Sequence, residues 1–197
     1  MIKILGGEFR SRILESPPDA ETTRPITARV KESVFNLLRG WFDDAIVLDL
    51  FAGVGTIGLE AVSRGAGEVV MVEQDRRTAA ILRFNVEELD CRERATVVEA
   101  DALGPAALAQ APRDCDVVFL DPPYMLWREE TIRRRVVDLM VRCRGVMKPK
   151  SFLVLRVPED FEEGAGEIEG FVGPETHQYA EDMFVHLYMP KTDEDSE

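Results

Sequence analysis

The chain has 197 residues, 45% of them apolar, and a formal net charge of −13. That length suits one domain, or one domain with a small appendage, and is enough to bury a real core. No run of about 18 apolar residues occurs, and no basic segment leads into an apolar stretch and cleavage site at the start. Neither a membrane span nor a secretory signal is therefore supported, and a cytoplasmic protein is expected. Cys91, Cys115 and Cys143 are odd in number and lack C-x-x-C spacing. They predict ordinary half-buried thiols rather than a disulfide framework or a zinc site, and no metal is expected.

The charge is concentrated at one end. From Pro158 onward, thirteen Asp and Glu stand against Lys191 alone, which leaves the rest of the chain at 23 basic and 24 acidic residues. A near-neutral body with local basic patches is compatible with RNA, whatever the sum over the whole chain. Residues 191–197 read as an acidic tail.

Taken in order, residues 1–15 alternate around Gly6-Gly7, with Ile2 and Ile4 before the pair and Phe9, Ile13 and Leu14 after it. Arg10 and Arg12 take the other parity. The pattern predicts a hairpin with the glycines in its turn or in a bulge. Ser16 to Thr23 is a polar loop containing prolines. After Arg24-Pro25 a helix is expected, N-capped by Thr27, with Val30, Val34, Leu37 and Leu38 on its buried face and Phe35 or Trp41 also reaching the core.

From Ile46 onward, strand and helix alternate, which predicts a parallel sheet covered on both faces. Strands are expected at Ile46–Phe51, Glu68–Glu73, Ala95–Glu99, Asp116–Asp121 and Ser151–Val157. Helices are expected at Thr56–Ser63, Arg76–Leu89, Ala102–Gln110 and Glu129–Arg144. Gln178–Ala180 and Met183–Met189 flank an Glu181-Asp182 turn with no crossover helix, so an antiparallel hairpin is expected to close the sheet. This divides the chain into an N-terminal hairpin and helix at 1–40, an α/β domain at 41–190 and the tail.

Gly53-Val54-Gly55-Thr56-Ile57-Gly58 satisfies the G-x-G-x-x-G fingerprint and, taken alone, proposes a nicotinamide enzyme. The acids argue otherwise. In open parallel sheets ligands bind beyond the carboxyl ends of the strands. Asp49, Glu73, Asp101 and Asp121 fall at four such ends and are expected to ring one pocket, with Glu73 placed to hold ribose hydroxyls. Such a pocket repels a pyrophosphate. It suits the sulfonium and ammonium of S-adenosylmethionine, whose product would be S-adenosylhomocysteine.

The stretch Val117 to Tyr124 ends an apolar strand in Asp121-Pro122-Pro123-Tyr124. Methylating an exocyclic base amine requires its delocalised lone pair to be localised. Asp121 supplies one acceptor, and Pro122, with its fixed dihedral, can aim a backbone carbonyl at the same nitrogen. Tyr124 can stack on a base turned out of its helix or loop.

Asp-Pro-Pro-Tyr after the fourth strand, with Asp-Leu-Phe-Ala-Gly-x-Gly at the first, resembles the amino-methylating class of S-adenosylmethionine-dependent methyltransferases. Ile4-Leu5-Gly6-Gly7, Arg24-Pro25, Arg29-Val30-Lys31-Glu32, Phe35-Asn36 and Leu48 through Gly67 narrow the resemblance to the bacterial 16S ribosomal RNA guanine-N2 methyltransferase family. The resemblance covers most of the chain. It implies a Rossmann-like class I methyltransferase fold whose hairpin and first helix assist RNA binding. It also implies cofactor contacts from Asp49, Gly53, Gly55, Glu73 and Asp101, a set completed by their neighbours Phe51, Gln74 and Ala102. The catalytic set is Asp121, Pro122, Pro123 and Tyr124, acting on a guanine of 16S ribosomal RNA or of the small subunit, with the enzyme a monomer. The chain departs from the family pattern at Ser11, Ile26 and Ala28, where Gly, Thr and Asp are usual.

Arg10, Arg12, Arg24 and Arg29 are the candidate RNA contacts. Arg133, Arg134 and Arg135 lie on a helix with Glu129 and Glu130 placed to pair with the first two, which predicts a solvated face. His177 and His186 lack partners at ligand spacing and read as core or surface residues. Alternatives are an adenine-N6 or cytosine-N4 DNA methyltransferase, a nicotinamide-dependent oxidoreductase, and a non-catalytic RNA-binding assembly factor.

Overall fold

The computed structural model describes residues 2–17, 26–158 and 167–192. Its main sheet has seven strands: β3 (Ile46–Asp49), β4 (Glu68–Glu73), β5 (Ala95–Glu99), β6 (Cys115–Leu120), β7 (Met147–Val157), β8 (Phe171–Ala180) and β9 (Met183–Pro190). They lie in the order β5-β4-β3-β6-β7-β9-β8. The five strands from β5 to β7 pair in parallel, and β9 and β8 close the sheet antiparallel. The order reverses between β3 and β6, which makes that junction the switch point of the sheet.

Side chains alternate between two cores, as a strand's period of two requires. Val47, Met71, Val117 and Phe119 face one core, shared with α1 (Ala28–Leu37), α2 (Gly58–Ser63) and α3 (Arg76–Glu88). Leu48, Val70, Val118 and Leu120 face the other, shared with α4 (Pro105–Ala109), α5 (Tyr124–Arg128) and α6 (Glu130–Cys143). Burial on both faces is why β3 and β6 read as nearly continuous apolar runs.

The N-terminal hairpin is real but short, with β1 (Ile2–Lys3) paired to β2 (Ile13–Leu14). Its glycines lie in the connection between the two strands, as expected, where Gly7 O accepts from Arg10 N at 3.3 Å. The loop docks on the end of α2, where Glu8 N–H donates to Ser63 O at 2.7 Å. A Cβ on Gly7 would fall 1.7 Å from that same carbonyl oxygen, and its φ of +75° also favours glycine. Thr27 caps α1, accepting from Val30 N. Phe35 and Leu38 are buried as expected, but Leu37 is 43% exposed. The inward position of that turn is taken by Leu38, and Leu37 lies round the helix from it.

Other boundaries shift for local reasons. β3 ends at Asp49, not Phe51, because the glycine turn begins there, although Leu50 N–H still donates to Phe119 O. α4 starts at Pro105, not Ala102, because the Asp101 carboxylate accepts from Leu103 N and holds a separate turn. β8 is ten residues long where three were expected. It is an edge strand that tolerates Pro174 and carries a register shift between Val172 and Glu175. α5 was not anticipated. It follows two prolines, and Trp127, 1% exposed, anchors it.

All three cysteines are free and fully buried rather than half-buried. Burial pushes the Cys115 and Cys143 thiols up to about 12. His186 is buried and bonded to Thr176 Oγ1, while His177 pairs with Glu175 at the surface. Arg134 pairs with Glu130 as the spacing predicts.

Candidate active site at the sheet switch point

Asp49 ends β3 at the switch point and is wholly buried. Its Oδ2 accepts from Gly58 N at 3.0 Å. Its Oδ1 has no hydrogen bond of good geometry. Burial, then the nearby charge of Asp121, pushes this carboxyl up to about 7, with Glu73 adding a smaller push; the N–H groups of Gly58 and Phe51 oppose them. A buried carboxylate with an unused oxygen is a site that rewards a cation.

The glycine turn has its donors engaged from within. Gly53 N–H donates to Glu73 Oε2 at 3.0 Å, Gly55 N–H to Ala52 O at 2.8 Å, and Gly58 N–H to Asp49. A pyrophosphate arriving here would meet two carboxylates where it needs free N–H groups. The glycines have other reasons to exist. Gly55, at φ +92°, lies so close to Leu59 and Leu82 that a Cβ would clash with both, and a Cβ on Gly58 would fall 2.5 Å from Met71 Sδ. They let α2 settle on β4 and α3.

On the other side of the switch point, Asp121 follows β6. The parallel register pairs Leu120 with Leu155, so Asp121 stands beside Arg156 of β7. Arg156 Nε donates to Asp121 Oδ1 at 2.6 Å, and Arg156 Nη1 donates to Tyr124 Oη at 3.0 Å. The guanidinium also lies over the Tyr124 ring, 5.0 Å from its centroid. Burial pushes the Asp121 carboxyl up, and Arg156 opposes that shift. Pro122 is buried and Pro123 exposed, with Pro123 O accepting from Trp127 N. A narrow apolar hollow beside Asp121 and Arg156 is lined by Ile26, Val34, Phe35 and Ile57, which brings α1 to the same rim.

The structure thus brings Asp49, Glu73 and Asp121 within electrostatic reach of one another. Asp101 stands apart in the wall, half exposed, with Arg135 at 3.6 Å. Ala102 is buried beside it, Phe51 half-buried in the glycine turn, and Gln74 exposed after β4. Among the RNA candidates, Arg10 and Arg29 are exposed, and Arg12 Nη2 donates to Glu88 O at 2.6 Å, on the end of α3. Arg24 lies outside the described residues. Arg156 was missed by sequence reasoning, although one signal existed: it is the lone charge in the apolar run Phe152 to Val157. Among the described residues no helix is long and apolar enough to cross a membrane.

A family model described as conserved hypothetical protein 95 matches residues 2–186. The chain belongs to this family. Ribosomal RNA small subunit methyltransferase D of Escherichia coli is similar at 42% identity over 123 residues, 62% of this chain and 60% of that protein. The chain therefore spans less than two thirds of that relative's length. The Haemophilus influenzae protein of the same name is 32% identical over 160 residues, 81% of this chain and 80% of its own length. Escherichia coli yhhF, described only provisionally as a methyltransferase, superposes with a TM-score of 0.78 at 30% identity, covering 96% of this chain and 98% of that one. The family's architecture is thus the Rossmann-like methyltransferase fold expected from the motifs.

Proposed function

We propose that the protein methylates the exocyclic N2 amine of a guanine in 16S ribosomal RNA, using S-adenosylmethionine. The observation that carries this reading is the meeting, at one switch point, of a buried acid cluster with an unused carboxylate oxygen and the Asp121-Pro122-Pro123-Tyr124 rim. The names of the Escherichia coli and Haemophilus influenzae relatives support the ribosomal RNA substrate.

The residues fit the cofactor's charge. Asp49 offers a buried anionic oxygen to a cation, and Gly53, Gly55, Glu73 and Asp101, with Phe51, Gln74 and Ala102, form the surrounding walls. When bound, the cofactor supplies an electrophilic methyl on a sulfonium and leaves as the neutral thioether S-adenosylhomocysteine. Asp121 accepts one N–H of the target amine and the Pro122 carbonyl accepts the other, so that the lone pair is directed at the methyl carbon. The methylated nitrogen would be acidic, and Asp121 or water would take its proton. Tyr124 stacks on the base, and Arg10, Arg12, Arg24 and Arg29 of the 1–40 appendage contact phosphates beside the 41–190 domain. The enzyme works in the cytoplasm as a monomer.

The test is incubation with labelled S-adenosylmethionine and small subunits, or naked ribosomal RNA, from a strain lacking the enzyme, followed by mapping of the modified nucleotide. Label on one guanine N2 is expected, and Asp121→Ala should abolish it. Undiminished labelling by Asp121→Ala would sink the catalytic assignment. Thermal stabilisation by NADH and not by S-adenosylhomocysteine would restore the nicotinamide reading.

A further inference from the structure

We infer that Arg156 is a positioning residue of the target site: it engages Asp121 through Oδ1, leaves Oδ2 for the incoming amine, and braces Tyr124 as the stacking platform. The inference rests on the proposed amine methylation for its purpose, but its geometry is independent of it.

Arg156 is 7% exposed and flanked along β7 by Leu155 and Val157, both fully buried. A guanidinium in such a strand is costly unless its donors are satisfied. Among the described residues its fork reaches two neighbours, with Nε on Asp121 and Nη1 on Tyr124. A lysine ammonium on a flexible stem cannot reproduce this planar division. Among the described residues, Asp121 accepts only at Oδ1. Its other oxygen is therefore the one available to substrate. Asp121 also sits beside Asp49 in an acid cluster that disfavours two negative charges. Burial raises the Asp121 pKa, and the permanent cation beside it opposes that rise and so favours the carboxylate, the form that accepts. The guanidinium lies against one face of the Tyr124 ring and so fixes its orientation.

Arg156→Gln and Arg156→Lys are the variants, with Tyr124→Phe removing only the Nη1–Oη hydrogen bond of the brace. Carbon-13 NMR of carboxyl-labelled Asp121, recorded without cofactor or RNA, reads the first contact directly. In Arg156→Gln its titration midpoint should rise by about one pH unit or more. The acid limb of the kcat profile should rise with it, kcat falling about tenfold to a hundredfold while S-adenosylhomocysteine affinity stays within about twofold. Arg156→Lys should keep the acid limb near its parental position but raise KM for RNA, as should Tyr124→Phe. If Arg156→Gln does not fold, the Arg156→Lys pattern decides. An unmoved Asp121 midpoint, or a loss that is uniform with pH and tracks thermal stability, overturns the inference. A shifted midpoint in a protein that labels no ribosomal RNA overturns the proposed substrate instead and leaves the Arg156 contact standing.

Discussion

Lys31 Nζ lies 2.9 Å from Glu60 Oε2, with the two side chains only 2% and 0% exposed. The pair ties three elements together. Lys31 also donates to Lys3 O in the hairpin and Thr56 O in the glycine turn, while Glu60 accepts from Leu5 N, Gly6 N and Arg64 Nε. Burial lowers the Lys31 pKa, and Glu60 opposes that shift. Glu60→Ala leaves the buried Lys31 ammonium without its carboxylate and should cost about 3–5 kcal/mol by urea denaturation, whereas Lys31→Met leaves Glu60 still paired with Arg64 and should cost less. The double variant should cost less than the sum by about 1 kcal/mol or more, and strict additivity would deny the coupling.

The hairpin's attachment can be tested at one glycine. Gly7→Ala places a methyl inside the radius of Ser63 O and requires a left-handed backbone, so the hairpin should detach. Proteolysis within residues 2–17 should quicken and stability should fall by more than about 1 kcal/mol. Gly145→Ala, with open space around it, is the matched control and should be neutral within about 0.5 kcal/mol.

The Asp49 carboxyl, held near 7 when folded, titrates around 4 when unfolded. Between those values the folded state binds more protons than the unfolded one, so stability should fall as pH rises from about 4 to 7. Asp49→Asn should flatten that slope. Ligand binding runs the opposite way. If Asp49 meets the ammonium of S-adenosylhomocysteine, affinity measured by calorimetry should rise as pH climbs towards 7, approaching tenfold per unit well below the pKa and levelling off above it. A flat profile in the parent would remove Asp49 from the cofactor site.

Glu73 engages Gly53 N–H and Asp75 N–H with its two oxygens. Glu73→Ala should therefore loosen the glycine turn and weaken S-adenosylhomocysteine binding about tenfold to a hundredfold. Glu99→Ala removes an exposed pair with Arg83 and should change that affinity by less than about twofold.

The strands were legible because β4 and β5 are short β-branched runs bounded by polar turns, and both matched to the residue. β8 was not, because an edge strand carries little apolar signal and its Gly173-Pro174 mimics a loop. Leu37 and Leu38 are adjacent, so helical periodicity alone could not choose which one faces inward; packing against the sheet did. Asp49, Glu73 and Asp121 announced themselves as acids at strand ends, whereas Arg156 did not, because its meaning depends on a neighbour 35 residues away.

By itself the sequence determined the alternating architecture, the acids at the strand ends and the Asp121 to Tyr124 motif, since periodicity and strand-end chemistry are local along the chain. Only the tertiary structure decided that the glycine turn's donors are taken by Asp49 and Glu73, that Gly7 exists for Ser63, and that Arg156 reaches both Asp121 and Tyr124. Those relationships arise from the register of parallel strands and the close approach of separate elements, which no local pattern encodes.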